Sequence, residues 1–124
     1  RQMCIRDSHG DIPALAWRIE IDGQSIVITG SFNNSKNLAA TFAKDADALV
    51  VSHAIPENSR GVLRDLYARP SQLGRVANQA DARMMILGHR NVRTRGRESL
   101  SRNAIEENYD GTILFANDGE CWGL

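Results

Sequence analysis

The sequence contains little cysteine and no long apolar run. Its 124 residues include two cysteines, Cys4 and Cys121, which lie at opposite ends of the chain and form no Cys-x-x-Cys pair. This pattern excludes a disulfide framework and a cysteine-based zinc motif. No apolar stretch approaches the roughly 20 residues that a membrane-spanning helix needs, and the start shows no signal-peptide pattern. We therefore expect a soluble protein without a membrane partner, and the sequence leaves cytoplasm or periplasm open.

An excess of charge of one sign is also missing. The 15 Lys and Arg residues balance the 15 Asp and Glu residues, which argues against a general nucleic-acid or membrane surface. Only Lys36 and Lys44 are lysines, so arginine supplies the other 13 basic residues. Arginine binds planar anions such as phosphate or carboxylate better than lysine does. Four arginines cluster within eight positions, namely Arg90, Arg93, Arg95 and Arg97.

The hydrophobic pattern predicts one domain of the α/β class, a sheet covered by helices on at least one face. Asp22-Gly23 is a two-residue hairpin signal. The β-branched run in residues 25–29 predicts a strand that is buried on both faces. Ser35 and Ser71 are predicted helix N-caps. The predicted strands are residues 14–21, 25–29, 48–52, 84–87 and 112–116, and the predicted helices are residues 36–44, 60–67, 72–80 and 98–107.

Three histidines are the strongest candidates for chemistry. His53 and His89 each follow a short apolar strand, and His9 precedes one. Each alone is most simply an isolated polar loop residue, but ligands gather at the carboxyl ends of strands in α/β sheets. Imidazoles brought from separate loops can share one metal. The Gly30-Ser31 corner follows a strand in the same way.

Several segments resemble the metallo-β-lactamase-fold hydrolases, in particular the ribonuclease Z-like branch. The likeness begins at His9-Gly-Asp-Ile-Pro-Ala-Leu-Ala-Trp-Arg-Ile-Glu and continues through Ile26-Val-Ile-Thr-Gly30. It includes His53-Ala-Ile-Pro-Glu57 and Met85-Ile-Leu-Gly-His89-Arg, in the family's order. The resemblance implies one half of an αββα four-layer sandwich, with a mixed sheet and helices on one face.

The resemblance also implies roles for individual residues. His9 matches a ligand of the first metal and His89 a ligand of the second. His53 matches a histidine with a proton-transfer role, although here Ala-Ile-Pro-Glu follows it. Ser31 stands where the family has the aspartate that bridges two divalent ions, and a neutral hydroxyl replaces it poorly. Arg90 and Arg93 are the candidates for binding substrate anions, or they belong to a solvated loop. The implied cofactor is zinc, with two divalent ions in a complete homologue.

The family's His-x-His-x-Asp-His signature is absent from the chain. We therefore expect residues 8–124 to form the C-terminal half of such a domain and residues 1–7 to be an unrelated leader. The expected function is hydrolysis of a phosphodiester, ester or lactone, with little activity from these residues alone. The alternative is a non-catalytic binding module for an anionic ligand or nucleic acid. The expected partners are a small-molecule or phosphodiester substrate, with a homo-oligomer left open.

Overall fold

The computed structural model describes residues 1–124 as a six-stranded mixed sheet with helices on one face. The strands occur in the sheet in chain order, from β1 to β6. The strands are β1 (Gln2–His9), β2 (Ile12–Ile21), β3 (Gln24–Ile28), β4 (Ala48–Ser52), β5 (Met84–Gly88) and β6 (Thr112–Phe115). The helices are α1 (Ala39–Phe42), α2 (Val62–Leu66), α3 (Pro70–Gln79) and α4 (Glu98–Glu106), and none is long and apolar enough to span a membrane.

The first three strands form an antiparallel meander. The predicted hairpin joins β2 to β3, and Asp22 and Gly23 adopt the positive φ angles of 50° and 79° that such a turn requires. Strand β1 pairs antiparallel with β2 from Gln2↔Ile19 to His9↔Ile12. Residues 2–7 therefore belong to an edge strand that the sequence pattern did not predict. Strand pairing does not test the origin of residues 1–7. That they are an unrelated leader therefore stays a prediction.

The remaining strands are parallel, and their helix-facing side forms the core. Strand β3 pairs with β4, β4 with β5 and β5 with β6, all in parallel. The side chains of Val27, Leu49, Met85 and Ile113 lie in register across these strands and are buried against α3 and α4. The strands predicted over 48–52 and 84–87 are confirmed, and most of their residues are buried.

The opposite face of the sheet carries apolar side chains that are only partly covered. Trp17 pairs with Ile28, and these side chains are 38% and 40% exposed. Leu15 on the same face is 51% exposed. Toward β5 the face is better covered, since the terminal residue Leu124 packs against the cluster that contains Ile86. The expectation that β3 is buried on both faces is therefore wrong, because helices pack against one face only.

Two predicted helix starts differ from the structure. The predicted helix 36–44 is reduced to α1 because Asn34 and Asn37 adopt left-handed φ angles of 57° and 51° and form a turn. Helix α3 begins at Pro70, with Arg69 as its N-cap, and not after Ser71. Proline at the first helical position lacks only an N–H that has no helical partner there. The Ser71 hydroxyl instead donates to Glu57 at 2.7 Å.

Candidate functional site

The strand directions bring several loop starts to one edge of the sheet, which we call the rim. Strands β1, β3, β4, β5 and β6 all point the same way, and β2 alone runs in the opposite direction. Their carboxyl ends carry His9, the Gly30-Ser31 corner, Ser52 and His89. The rim therefore collects the metal-ligand candidates from separate parts of the chain.

His9 is held in one orientation by the end of α2. Its Nδ1 lies 2.7 Å from the carbonyl oxygen of Leu66. A carbonyl can only accept a hydrogen bond, so Nδ1 carries the proton and Nε2 presents a lone pair. The neighbouring amide of Gly10 donates to the carbonyl of Asp65 at 2.8 Å. A backbone carbonyl that fixes the second ring nitrogen is the usual arrangement around a metal-binding histidine.

His89 reaches the rim through an unusual backbone conformation. It follows β5 with a φ angle of 54°, and its side chain is exposed. A non-glycine residue in this region is uncommon, and such strain concentrates at functional sites. The Tyr67 ring lies between the two histidines, with its centroid 4.8 Å from that of His9 and 6.3 Å from that of His89. Both imidazoles therefore lie on the same side of the molecule.

Ser31 lies farther along the rim, toward the centre of the sheet. Its hydroxyl is 3.5 Å from that of Ser52, which donates to the carbonyl of Gly30 at 3.0 Å. Ser52 pairs with Gly88, the residue before His89. Ser31 thus shares the rim with His89, in a setting of neutral hydroxyl and carbonyl groups.

The protein's own donors do not complete a metal site. No group of three or more His, Cys, Asp or Glu side chains is placed to bind one ion. The rim offers two imidazoles and the Ser31 hydroxyl, whereas zinc sites use three or four protein ligands. The geometry of His9 suits a ligand, but the donor set as a whole does not fit a metal without groups from elsewhere.

His53 is separated from the other two histidines by its burial. Its side chain is 1% exposed and packs beside the Phe115 ring, with centroids 5.4 Å apart. Nε2 lies 2.7 Å from the hydroxyl of Ser101 in α4, and Nδ1 has no partner. Burial lowers the pKa of His53 to about 4, while Glu98 raises it and Arg90 lowers it further. His53 is therefore neutral at pH 7, its ring packs between Ser101 of α4 and Phe115 of β6, and its proton-transfer role stays a prediction.

The two arginines predicted to bind substrate differ in what they contact. Arg90 donates from Nη1 to Glu98 and from Nη2 to the carbonyl of Ala116, at 2.7 Å each, and also from Nη2 to the side chain of Asn117. The Arg93 side chain is exposed and has no partner. Arg90 therefore holds the segment after β6 against α4, and a substrate anion at its Nη atoms would compete with these partners.

Four groups in this region could not be identified as site residues from the sequence. Tyr67 and the Leu66 carbonyl come from a short helix about 60 residues away from His9. Ser101 of α4 provides the only hydrogen bond to the His53 ring. Asp118 lines the same cavity as His89. A backbone carbonyl has no sequence signature, and the others are ordinary surface or helix residues in the sequence.

The fold is that of metallo-β-lactamase-fold proteins. The metallo-β-lactamase fold protein YhfI from Bacillus subtilis superposes with a TM-score of 0.80 at 19% identity, over 98% of this chain and 49% of that one. A diphosphatase from the PhnP family gives a TM-score of 0.69 at 13% identity, over 96% of this chain and 41% of that one. Unliganded yeast PDE1 gives 0.64 at 14% identity, over 95% and 44%.

These structural similarities establish the fold and show that the chain is shorter than the similar proteins. The chain spans about half the length, or less, of these three structures. No family model and no curated protein matches the sequence. The predicted mixed sheet with helices on one face is confirmed.

Proposed function

We propose that this chain supplies one side of the active site of a metal-dependent hydrolase, with phosphate esters as the substrate class. The observation that carries the proposal is the pair of imidazoles beside Tyr67, one of which has its Nδ1 proton fixed by the Leu66 carbonyl. The substrate class is supported by the diphosphatase and the yeast PDE1 among the similar structures. The ribonuclease Z-like motif order quoted above supports that branch of the fold.

Within this proposal each residue has a limited task. His9 presents Nε2 to the rim, and the Leu66 carbonyl keeps the ring from turning. His89 presents a second imidazole from its left-handed backbone position. Zinc is the proposed ion, and the ligands that these residues lack would come from polypeptide outside residues 1–124. We accordingly propose that the 124 residues alone have no hydrolase activity.

A zinc titration tests the site directly. We expect weak or undetectable zinc binding by the 124-residue protein in calorimetry, because two imidazoles and a hydroxyl fall short of the required donor set. Ser31→Asp adds a single carboxylate and changes the affinity little in this chain. Micromolar, stoichiometric binding that is abolished by His9→Ala or by His89→Ala would contradict this expectation and show a complete site.

A chimaera tests the activity. The part of YhfI that this chain does not cover is fused to residues 1–124, so that strand β1 is kept, and bis(p-nitrophenyl) phosphate hydrolysis is measured with and without zinc. We expect zinc-dependent hydrolysis that His89→Ala abolishes and Ser31→Asp increases, because a carboxylate between two cations supplies the missing negative charge. A folded, zinc-binding chimaera with activity that is insensitive to His89→Ala would refute the assignment.

The second candidate function is a binding module without catalysis. It is favoured by Ser31, which replaces a charged bridging ligand with a neutral one, and by the lack of any three-donor group. Under this hypothesis the chimaera folds and binds an anionic ligand but hydrolyses nothing, even with Ser31→Asp. The same set of chimaera measurements therefore separates the two candidates.

A further inference from the structure

A polar cavity lies next to His89 at the β5–β6 end of the rim. Its volume is about 610 Å³, and only one of its lining residues is apolar. Its walls are made by residues 89–90 after β5, by Arg95 and Glu98 around the start of α4, and by residues 116–118 after β6. Cavities of this size accommodate a whole small molecule. The polar lining selects a ligand rich in charged or hydroxyl groups.

The charges of the wall divide into a closed pair and two open groups. Arg90 and Glu98 neutralise each other at 2.7 Å, and Nη2 of Arg90 also donates to the segment after β6. Neither Arg95 nor Asp118 forms an ion pair or a side-chain hydrogen bond. The cavity therefore presents one guanidinium without a partner, that of Arg95, and one carboxylate without a partner, that of Asp118.

We propose that this cavity binds a phosphate ester of a hydroxyl-rich small molecule such as a sugar. Arg95 binds the phosphate oxygens, since its planar donors match two oxygens of one phosphate group. Asp118 accepts hydrogen bonds from the hydroxyl groups of the ligand, because an ionised carboxylate acts only as an acceptor. Inorganic phosphate has no sugar hydroxyl groups to donate to it. The proposal rests on the proposed function, because it names the substrate class of the same rim. It assigns binding of the substrate phosphate to Arg95, in place of Arg90 and Arg93, which were the candidates from the sequence.

Binding measured without metal tests the cavity separately from catalysis. The 124-residue protein is titrated in EDTA-containing buffer with ribose 5-phosphate, inorganic phosphate and ribose, and amide chemical shifts report binding. We expect saturable binding of ribose 5-phosphate that Arg95→Gln weakens about tenfold or more, as is typical for loss of a charge-assisted hydrogen bond. Asp118→Asn weakens ribose 5-phosphate binding severalfold and leaves inorganic phosphate binding unchanged or stronger. Arg93→Gln, in the same loop but outside the cavity wall, changes either affinity less than twofold.

Three results would overturn the proposal. They are the absence of saturable ribose 5-phosphate binding, equal weakening by Arg93→Gln and Arg95→Gln, and no loss of ribose 5-phosphate binding in Asp118→Asn. Because Arg95 and Asp118 are exposed, thermal melts of the variants should match that of the parent protein. Binding that follows the expected pattern while the chimaera stays inactive refutes the hydrolase and not the cavity. Activity in the chimaera without such binding refutes the cavity alone.

Discussion

His53 shows how burial changes the chemistry of one residue. Histidine has an ordinary pKa near 6.5, but desolvation lowers that of His53 to about 4. The unfolded chain therefore takes up a proton between pH 6.5 and 4 that the folded protein excludes. The contribution of neutral His53 to folding stability is fully present above about pH 6.5 and is lost as the pH decreases through this window.

We expect this single group to cost up to about 3 kcal/mol of unfolding free energy between pH 6.5 and 4. Urea denaturation at a series of pH values measures the loss. The variant His53→Gln keeps a polar side chain but does not titrate, so its stability should be nearly flat from pH 6.5 to 5. A parent protein whose stability is equally flat there would contradict the burial argument.

At the scale of elements, two helices approach each other closely through one glycine. A Cβ atom on Gly74 of α3 would lie 2.6 Å from the carbonyl oxygen of Ile105 in α4. Real Cβ atoms do not approach a backbone oxygen this closely, so an added methyl group must push the helices apart. The packing of α3 on α4 therefore depends on the absence of a side chain at this position.

We predict that Gly74→Ala destabilises the protein by about 1–3 kcal/mol, although alanine is the better helix former by about 1 kcal/mol. The melting temperature should fall by several degrees. Asn78→Ala is the matched control, since Asn78 is an exposed residue of the same helix. It should leave stability unchanged or raise it slightly. A Gly74→Ala protein as stable as its parent would show that the helices have room to separate.

Elements were predicted best where burial and local pattern agree. Strand β4 has the predicted bounds, and α4 ends one residue before its predicted end. The predicted helix 36–44 lost its first turn to asparagines in left-handed positions, which a propensity argument does not see. Strand β1 was missed because its pairing with β2 is a long-range contact, and its own sequence alternates too weakly to predict a strand.

At the scale of the whole molecule, one sheet face leaves several large apolar side chains partly uncovered. Leu15, Trp17 and Ile28 lie on it and are each 38–51% exposed. Exposed apolar patches of this kind favour association and bind hydrophobic dyes. We predict enhanced ANS fluorescence or poor solubility for the protein expressed by itself.

The substitution Leu15→Lys should reduce the ANS signal markedly, because it places a charge on the exposed apolar face, two residues along β2 from Trp17. Val92→Lys is the control, since Val92 is 89% exposed but belongs to the arginine-rich loop and not to the sheet face. It should leave the signal nearly unchanged. A monomeric, cooperatively melting parent protein that does not bind ANS would count against an accessible apolar face.

The sequence by itself determined the α/β class, the hairpin at Asp22-Gly23, the positions of the central strands and the candidate histidines. These follow from local periodicity, turn chemistry and residue type, which act over a few residues. Only the tertiary structure decided that His9 and His89 share the Tyr67 ring while His53 is buried beside Ser101. The reason is physical: ring orientation, desolvation and backbone-carbonyl partners come from segments far apart in the chain, and no local pattern encodes them.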